Sequence, residues 1–495
     1  MSTSTPRYPD TGDSKRPHVV IIGGGFGGLN AAKVLANRPV RVTLLDRRNH
    51  HLFQPLLYQV ATAAISAGEI AVPIRAILRR YRNIQVFLAE VVSIDLPKRR
   101  VQLADGEINY DYLILASGAQ TAYFGHDDWE RDAPGLKSVE DALEIRRRIL
   151  CAYEAAERLP LDAPEREELL TFAVVGGGPT GVEMAGAISE IARNTLKNDF
   201  RSIDPSHTRV ILIQSGDHIL PDYDVDLSLS ARKQLEKIGV EVKTGGRVTD
   251  IDPGIVQIGD EIIRARTIIW TAGVTASPLA KDLGVPLDRG GRVHVQPDLT
   301  IPGFPEAYVV GDLSSFTHTK NGEPLPGLAP VALQEGKHAA RNIMRSVQGI
   351  PRRRFRYFNK GSMATIGRAR AVADFGKIHL SGFLAWVSWS LIHVYFLIGF
   401  YNRALVMFRW MWSYFTSNRG ARLITGQLCS TPLLRTPDLP DSASKQVEAP
   451  ACARSINAPA ASVPVANVPP KTEDQKSKDG SSPTPSTLTP APGTA

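Results

Sequence analysis

Two stretches decide the fold of this chain. They are Val19-Val20-Ile21-Ile22-Gly23-Gly24-Gly25-Phe26-Gly27-Gly28 and Phe172-Ala173-Val174-Val175-Gly176-Gly177-Gly178-Pro179-Thr180-Gly181. Each is an apolar run ending in glycines at G-x-G-x-x-G spacing and leading into a helix-like segment. The spacing has a physical reason at each glycine. The first makes a tight turn, the second lets a pyrophosphate approach the backbone, and the third lets helix pack on strand. The anion then rests on free N–H groups at the helix N-terminus. Two copies in one chain, both after β-like runs, imply two dinucleotides held by one protein. The fold class that follows is α/β with two Rossmann-like dinucleotide-binding domains.

Working outward from the first turn, a strand over residues 40–45 ends in Asp46, about 20 residues after the glycines. A carboxylate there accepts both ribose hydroxyls of an adenosine. In the second unit the equivalent strand, from Arg209, ends in Gln214. Gln still hydrogen-bonds a ribose but does not repel a 2′-phosphate as a carboxylate would. The second site is therefore not expected to discriminate strictly against a dinucleotide carrying a 2′-phosphate. Three further apolar strands end in small residues that let a cofactor lie against the backbone. They close on Gly118, on Gly273 and on the pair Gly311-Asp312.

The chain has 495 residues, enough for several domains, and 58 Lys+Arg against 50 Asp+Glu give a net charge of +8. That mild basicity suits an anionic surface. No nucleic-acid-binding motif accompanies it, so no nucleic-acid partner is expected. The cysteines Cys151, Cys429 and Cys452 form neither C-x-x-C nor a metal-ligand spacing. This argues against a disulfide framework and against a metal site.

Beyond the glycine turns, four segments carry a family resemblance. They are residues 50–62 (His-His-Leu-Phe-Gln-Pro-Leu-Leu-Tyr-Gln-Val-Ala-Thr), Pro179-Thr180-Gly181-Val182-Glu183-Met184-Ala185-Gly186, Lys360-Gly361-Ser362-Met363-Ala364-Thr365-Ile366-Gly367, and Ala329-Pro330-Val331-Ala332-Leu333-Gln334-Glu335. Together they resemble the type II NADH:quinone oxidoreductases, within the flavoproteins that bind two dinucleotides. The last segment departs from that family's A-Q-x-A-x-Q-Q pattern, with Pro330 and Glu335 where the first and last Gln would stand.

The resemblance implies FAD on the first unit and NADH on the second, with two electrons passed to a membrane quinone without proton pumping. It implies that Glu183 lies near nicotinamide and flavin, that Lys360 approaches the flavin, and that Gln334 lines the quinone site. The implied FAD contacts are Gly23, Gly24, Gly25, Phe26, Gly27, Gly28, Asp46, Arg47, Val91, Gly118, Gly311, Asp312 and Leu333. Those for the nicotinamide dinucleotide are Gly176, Gly178, Gly181, Gln214 and Gly273. Such flavoproteins often discharge into a C-x-x-C disulfide; this chain has none, so the oxidant must meet the flavin directly. Two other readings stand beside this one. A sulfide:quinone reductase needs a cysteine pair that no cofactor motif here supplies. A non-catalytic NADH-responsive flavoprotein would show bound flavin without turnover.

The expected organisation is a leader over 1–16 and an FAD-binding domain over 17–166 and 300–345. An NAD(P)H-binding domain occupies 167–299, a membrane-surface domain 346–430, and a disordered Pro/Ala/Ser-rich tail 431–495. Residues 380–400 carry no charge and approach the length of a bilayer span. Serines, a histidine and mid-segment tryptophans favour the interface instead. Residues 403–422 place Leu405, Phe408, Trp412 and Phe415 on one helical stripe beside Arg403, Arg409 and Arg419. That pattern suits a helix lying among lipid headgroups. The expectation is a homodimer, peripheral on the cytoplasmic face of the cell membrane, with membrane lipids and quinone as partners.

Overall fold

The computed structural model describes residues 15–425, apart from 399, 417 and 418. The expected leader up to residue 14 and the expected tail lie outside the described residues. So does the whole of a second compact unit, Thr436–Ala495.

Along the chain the principal elements begin with β1 (His18–Ile22), α1 (Phe26–Leu35), β2 (Arg41–Asp46), α2 (Leu57–Ala61), β3 (Ile84–Leu88) and β4 (Tyr112–Leu115). The long helix α3 (Val139–Arg158) leads to β5 (Thr171–Val175), α4 (Pro179–Glu190), β6 (Arg209–Gln214), β7 (Val240–Thr244) and β8 (Thr267–Trp270). Then come β9 (Thr300–Ile301), β10 (Phe304–Val309) and α5 (Ala329–Val347). Last are β11 (Ser362–Gly367), β12 (Arg370–Asp374), β13 (His379–Ser381), α6 (Phe383–Phe396) and α7 (Phe400–Thr416).

The strands β1 and β5 are near-continuous runs of Val, Ile and Phe because each sits inside a parallel sheet buried on both faces. The first sheet has the order β9-β10-β4-β1-β2-β3, with Val19 opposite Val42 on one side and Tyr112 on the other. The second has the order β7-β6-β5-β8, with Phe172 between Val210 and Thr267. Each glycine turn therefore leaves the carboxyl end of a strand that has neighbours on both sides, where strand order reverses and open α/β sheets bind ligands. Residues 300–309 rejoin the first sheet after the second has been completed. Its helix α5 packs on α1 so closely that a Cβ on Gly336 would stand 2.1 Å from the Gly27 carbonyl oxygen.

Beyond α5 the chain forms a three-stranded antiparallel sheet, β11-β12-β13, followed by α6 and α7. This sheet sits directly on the second glycine helix, since a Cβ on Gly186 would meet the Ile366 carbonyl oxygen at 1.9 Å.

Two expectations change here. The uncharged stretch 380–400 is not one helix. Its first residues close β13, and α6 has 14 residues, or about 21 Å at 1.5 Å per residue. Among the described residues no helix is long and apolar enough to cross a membrane. Second, Cys151, fully buried on α3, is disulfide-bonded, and its partner lies outside the described residues. Arg146 of α3 also donates to the Ala421 carbonyl at 3.3 Å, so α3 lies beside the chain that follows α7.

Candidate active site

The two glycine turns share one geometry. Gly23 (φ +100°) and Gly176 (φ +110°) adopt a conformation that favours glycine. A Cβ on either would strike the adjacent strand end, at 2.3 Å from the Ala116 carbonyl oxygen and 2.6 Å from Ala272 respectively. Gly28 and Gly181 are closed by their own turns, each 1.8 Å from the first glycine's carbonyl oxygen when a Cβ is added. The middle glycines differ. Nothing lies within 4 Å of a Cβ built on Gly25 or Gly178, and neither helix behind them has a side-chain cap. The protein thus leaves open space and uncapped amides where an anion would sit. Phe26 opens α1 and meets the His51 and Phe53 rings edge-on.

Asp46 and Gln214 occupy matching positions. Asp46 Oδ2 accepts the Gly24 N–H at 2.6 Å, and Gln214 Oε1 accepts the Gly177 N–H at 2.8 Å. Both side chains steady their glycine turns at the strand end where a ribose would lie. Arg47 is exposed. The Ala89 N–H donates to the Asp46 carbonyl at 2.9 Å, which brings the turn before Val91 to the same edge.

At the other strand ends, Gly118 (φ +72°) faces open space, and the buried Ser117 Oγ beside it has no partner. Gly273 is covered by the Phe124 ring, 2.5 Å from an added Cβ. The Gly311 N–H donates to Glu335 Oε2 at 2.6 Å. Glu335 is buried on α5, and burial pushes its carboxyl up to about 8. Lys137, missed in the sequence, faces Asp312. Burial lowers its ammonium and the Asp312 carboxylate partly restores it.

Glu183 lies on α4, where the second unit meets the C-terminal sheet. Its carboxylate accepts the Thr365 N–H of β11 at 3.4 Å, and burial raises it well above the usual carboxylate range. It lines a cavity of ≈ 830 Å³, including its open mouth. Tyr58 and Gln59 of α2 form another wall, and Trp386, Trp389 and Trp410 of α6 and α7 a third. Trp410 donates to Gln59 at 2.8 Å, and Gln59 donates to the Tyr58 hydroxyl at 2.8 Å. Arg419 closes the far side, with Glu190 at 3.1 Å and the Thr62 carbonyl at 3.0 Å. The indole nitrogen of Trp389 and the Ser390 hydroxyl, both on residues lining the cavity, are buried without partners. The sequence signal for Tyr58 and Gln59 lay inside the 50–62 motif. Arg419 and the tryptophans carried none that separated a cavity wall from a membrane stripe.

Gln334 and Lys360 come together through a peptide bond rather than directly. Gln334 donates to the Phe358 carbonyl at 3.0 Å and accepts the Phe358 N–H at 3.1 Å, two residues before Lys360. Leu333, beside Gln334, is half-buried on the first turns of α5. Lys360 is exposed, its ammonium 5.5 Å above the Phe396 ring of α6.

Comparison with known proteins agrees with this geometry. Residues 17–336 match the family model described as pyridine nucleotide-disulphide oxidoreductase, and residues 359–418 match the NDH2 C-terminal domain. The chain is 46% identical to the type II NADH:quinone oxidoreductase Ndh of Mycobacterium tuberculosis, over 86% of this chain and 94% of that protein. It is 31% identical to the internal alternative NAD(P)H-ubiquinone oxidoreductase A1 of Arabidopsis thaliana mitochondria, over 81% and 84% respectively. In fold it is similar to the Plasmodium falciparum NDH2 solved with NADH (TM-score 0.76, 21% identity, 83% of this chain and 100% of that one). The chain belongs to the pyridine nucleotide-disulphide oxidoreductase family and, within it, to the type II NADH:quinone oxidoreductases.

Proposed function

We propose that this chain passes two electrons from NADH through FAD to a quinone, working as a peripheral protein at a membrane surface. One observation carries the reading. Glu183 from the second glycine helix and Tyr58 and Gln59 from the first unit face one cavity walled by aromatic residues of α6 and α7. The residues present fit FAD: the open Cβ position at Gly25, the uncapped start of α1 and the unpartnered Ser117 Oγ all converge on one edge of the first sheet. When bound there, FAD supplies the two-electron relay between nicotinamide and quinone.

The chain's own residues divide the remaining work. The Gly23–Gly28 turn, with Phe26 and Gly27, holds the FAD pyrophosphate, and Asp46 and Arg47 hold the adenosine ribose, with Val91 beside the adenine. Gly118, Gly311, Asp312 and Leu333 line the rest of the flavin site. Gly176, Gly178, Gly181, Gln214 and Gly273 hold NADH. Burial raises the Glu183 carboxyl well above the ordinary carboxylate range, because the buried anion is unfavourable, and the group lines the cavity beside Tyr58 and Gln59. Lys360 brings positive charge to the flavin edge, and Gln334 positions it by clamping the Phe358 peptide.

The proposed division gives FAD to 17–166 and 300–345, NADH to 167–299 and membrane contact to 346–430, and the two separate parallel sheets support its first two parts. The exposed side chains Phe383, Leu384, Leu391, Tyr395, Met407, Phe408, Met411 and Trp412 of α6 and α7 support that contact. A soluble protein rarely leaves such a face uncovered. The cytoplasmic face, where NADH is produced, and a homodimeric assembly complete the proposal. Anaerobic stopped-flow spectroscopy tests the reaction: NADH should bleach the flavin and a soluble quinone should restore it. Flavin that bleaches but recovers only with sulfur species, or that never bleaches, would overturn the assignment.

A further inference from the structure

The arginines that the sequence offered as headgroup ligands are engaged inside the protein. Arg409 pairs with Glu69 at 2.8 Å, Arg419 with Glu190 at 3.1 Å, and Arg403 donates to the Leu397 carbonyl at 2.6 Å. Among the described residues, a different set of cations has no carboxylate partner. Residues 351–360 run antiparallel along α5. The Pro351 carbonyl accepts from Arg345 at 2.6 Å, the Arg353 carbonyl accepts from Asn342 at 2.9 Å, and Gln334 clamps the Phe358 peptide. Phe355 is buried against the body of the protein, while Arg354, Arg356, Phe358 and Lys360 are exposed. Phe358 is 69% exposed. From α5, Lys337 and Arg341, one helical turn apart, join them.

Lys337 feels this crowding, since burial, Arg341 and Lys360 all depress its ammonium. The ladder is continuous with the apolar face, because the Lys360 ammonium lies over Phe396 at the end of α6. Like charges gathered without counter-ions favour an anion, and a phenyl ring exposed among them favours an anion that carries an acyl chain.

We propose that Lys337, Arg341 and Arg356 bind the phosphate of an anionic phospholipid headgroup while Phe358 enters the acyl boundary. This rests on the membrane docking proposed above for the α6–α7 face. Free inorganic phosphate is the other source of the same chemistry, and the experiment separates the two.

The full-length flavin-loaded protein is sedimented with vesicles of pure phosphatidylcholine and with vesicles containing about one-third phosphatidylglycerol, at ~0.1 M salt. The wild type should bind both, and the anionic vesicles more tightly. The double variant Arg341→Gln/Arg356→Gln should bind anionic vesicles about 25-fold more weakly, from about fivefold per charge. It should keep its affinity for neutral vesicles and its turnover with NADH and a soluble quinone. A charge-matched pair, Arg79→Gln/Arg80→Gln, should keep the anionic preference. Equal wild-type affinity for both vesicles, or an anionic preference that survives the double substitution, overturns the headgroup site and leaves membrane docking standing. So does an anionic preference abolished by millimolar phosphate at matched ionic strength, which makes the ligand free phosphate. Failure to bind either vesicle overturns the docking itself.

Discussion

Trp410 donates its indole N–H to the Gln59 side-chain oxygen at 2.8 Å, joining α7 to α2 across 351 residues of sequence. The bond fixes a C-terminal helix against the flavin-side motif and completes one wall of the cavity. Trp410→Phe keeps most of the ring but leaves the Gln59 acceptor without its donor, a loss of about 1 kcal/mol. The KM for quinone should rise several-fold while the rate of flavin reduction by NADH stays unchanged. Equal effects on both half-reactions, measured by rapid mixing, would show that the quinone does not use this cavity.

The glycines of the first turn separate folding from cofactor binding. Gly28→Ala drives a Cβ to within 1.8 Å of the Gly23 carbonyl, so helix and strand must part. Destabilisation of at least 3 kcal/mol is expected, on the scale of the more severe single substitutions. Gly25→Val points its methyl groups into open space, at an ordinary φ of −70°. That variant should fold with a normal circular dichroism spectrum yet emerge without flavin absorbance. A yellow Gly25→Val protein would refute the pyrophosphate site.

Glu335 gives the fold a pH dependence. Its folded carboxyl is raised from 4.5 to about 8, chiefly by burial, so the native protein holds a proton that the unfolded chain releases. Stability attributable to this group is therefore full below about pH 4.5 and declines as pH rises towards 8, with a limiting slope of about 1.4 kcal/mol per pH unit. Glu335→Gln has no proton to lose and retains an acceptor for the Gly311 N–H. It should exceed the wild type by about 1–3 kcal/mol at pH 7.5 and lose that advantage at pH 4.5. Urea midpoints at the two pH values decide the matter, and parallel shifts at both would contradict it.

Gln214 is the residue proposed to set how firmly a 2′-phosphate is refused. Because Asp46 makes the same bond to its own glycine turn, Gln214→Glu can keep the Gly177 contact while adding a negative charge at the ribose. The ratio of kcat/KM for NADPH to that for NADH should drop by about tenfold, the effect of ~1.4 kcal/mol of repulsion. An unchanged ratio would place the 2′-hydroxyl elsewhere.

Much of this architecture was legible in the chain itself. The runs before Gly23 and Gly176 are continuously apolar, of Val, Ile, Phe and Ala, because their strands are buried on both faces. Glycine spacing then specifies the turn by a local steric rule. The C-terminal third was less legible. Phe408 and Trp412 point outward while Trp410, between them in sequence, turns inward to Gln59, and a helical period alone does not say which stripe meets protein. Arg409 and Arg419 looked like headgroup ligands until Glu69 and Glu190, hundreds of residues earlier, were found beside them.

By itself, then, the sequence determined the two nucleotide-binding turns, because a glycine at a tight turn is required by its immediate neighbours. Tertiary structure alone decided which charges are paired, which aromatic rings wall the cavity and which cations remain free at the surface. Those properties depend on partners brought together from distant segments, and no local pattern encodes the distance between them.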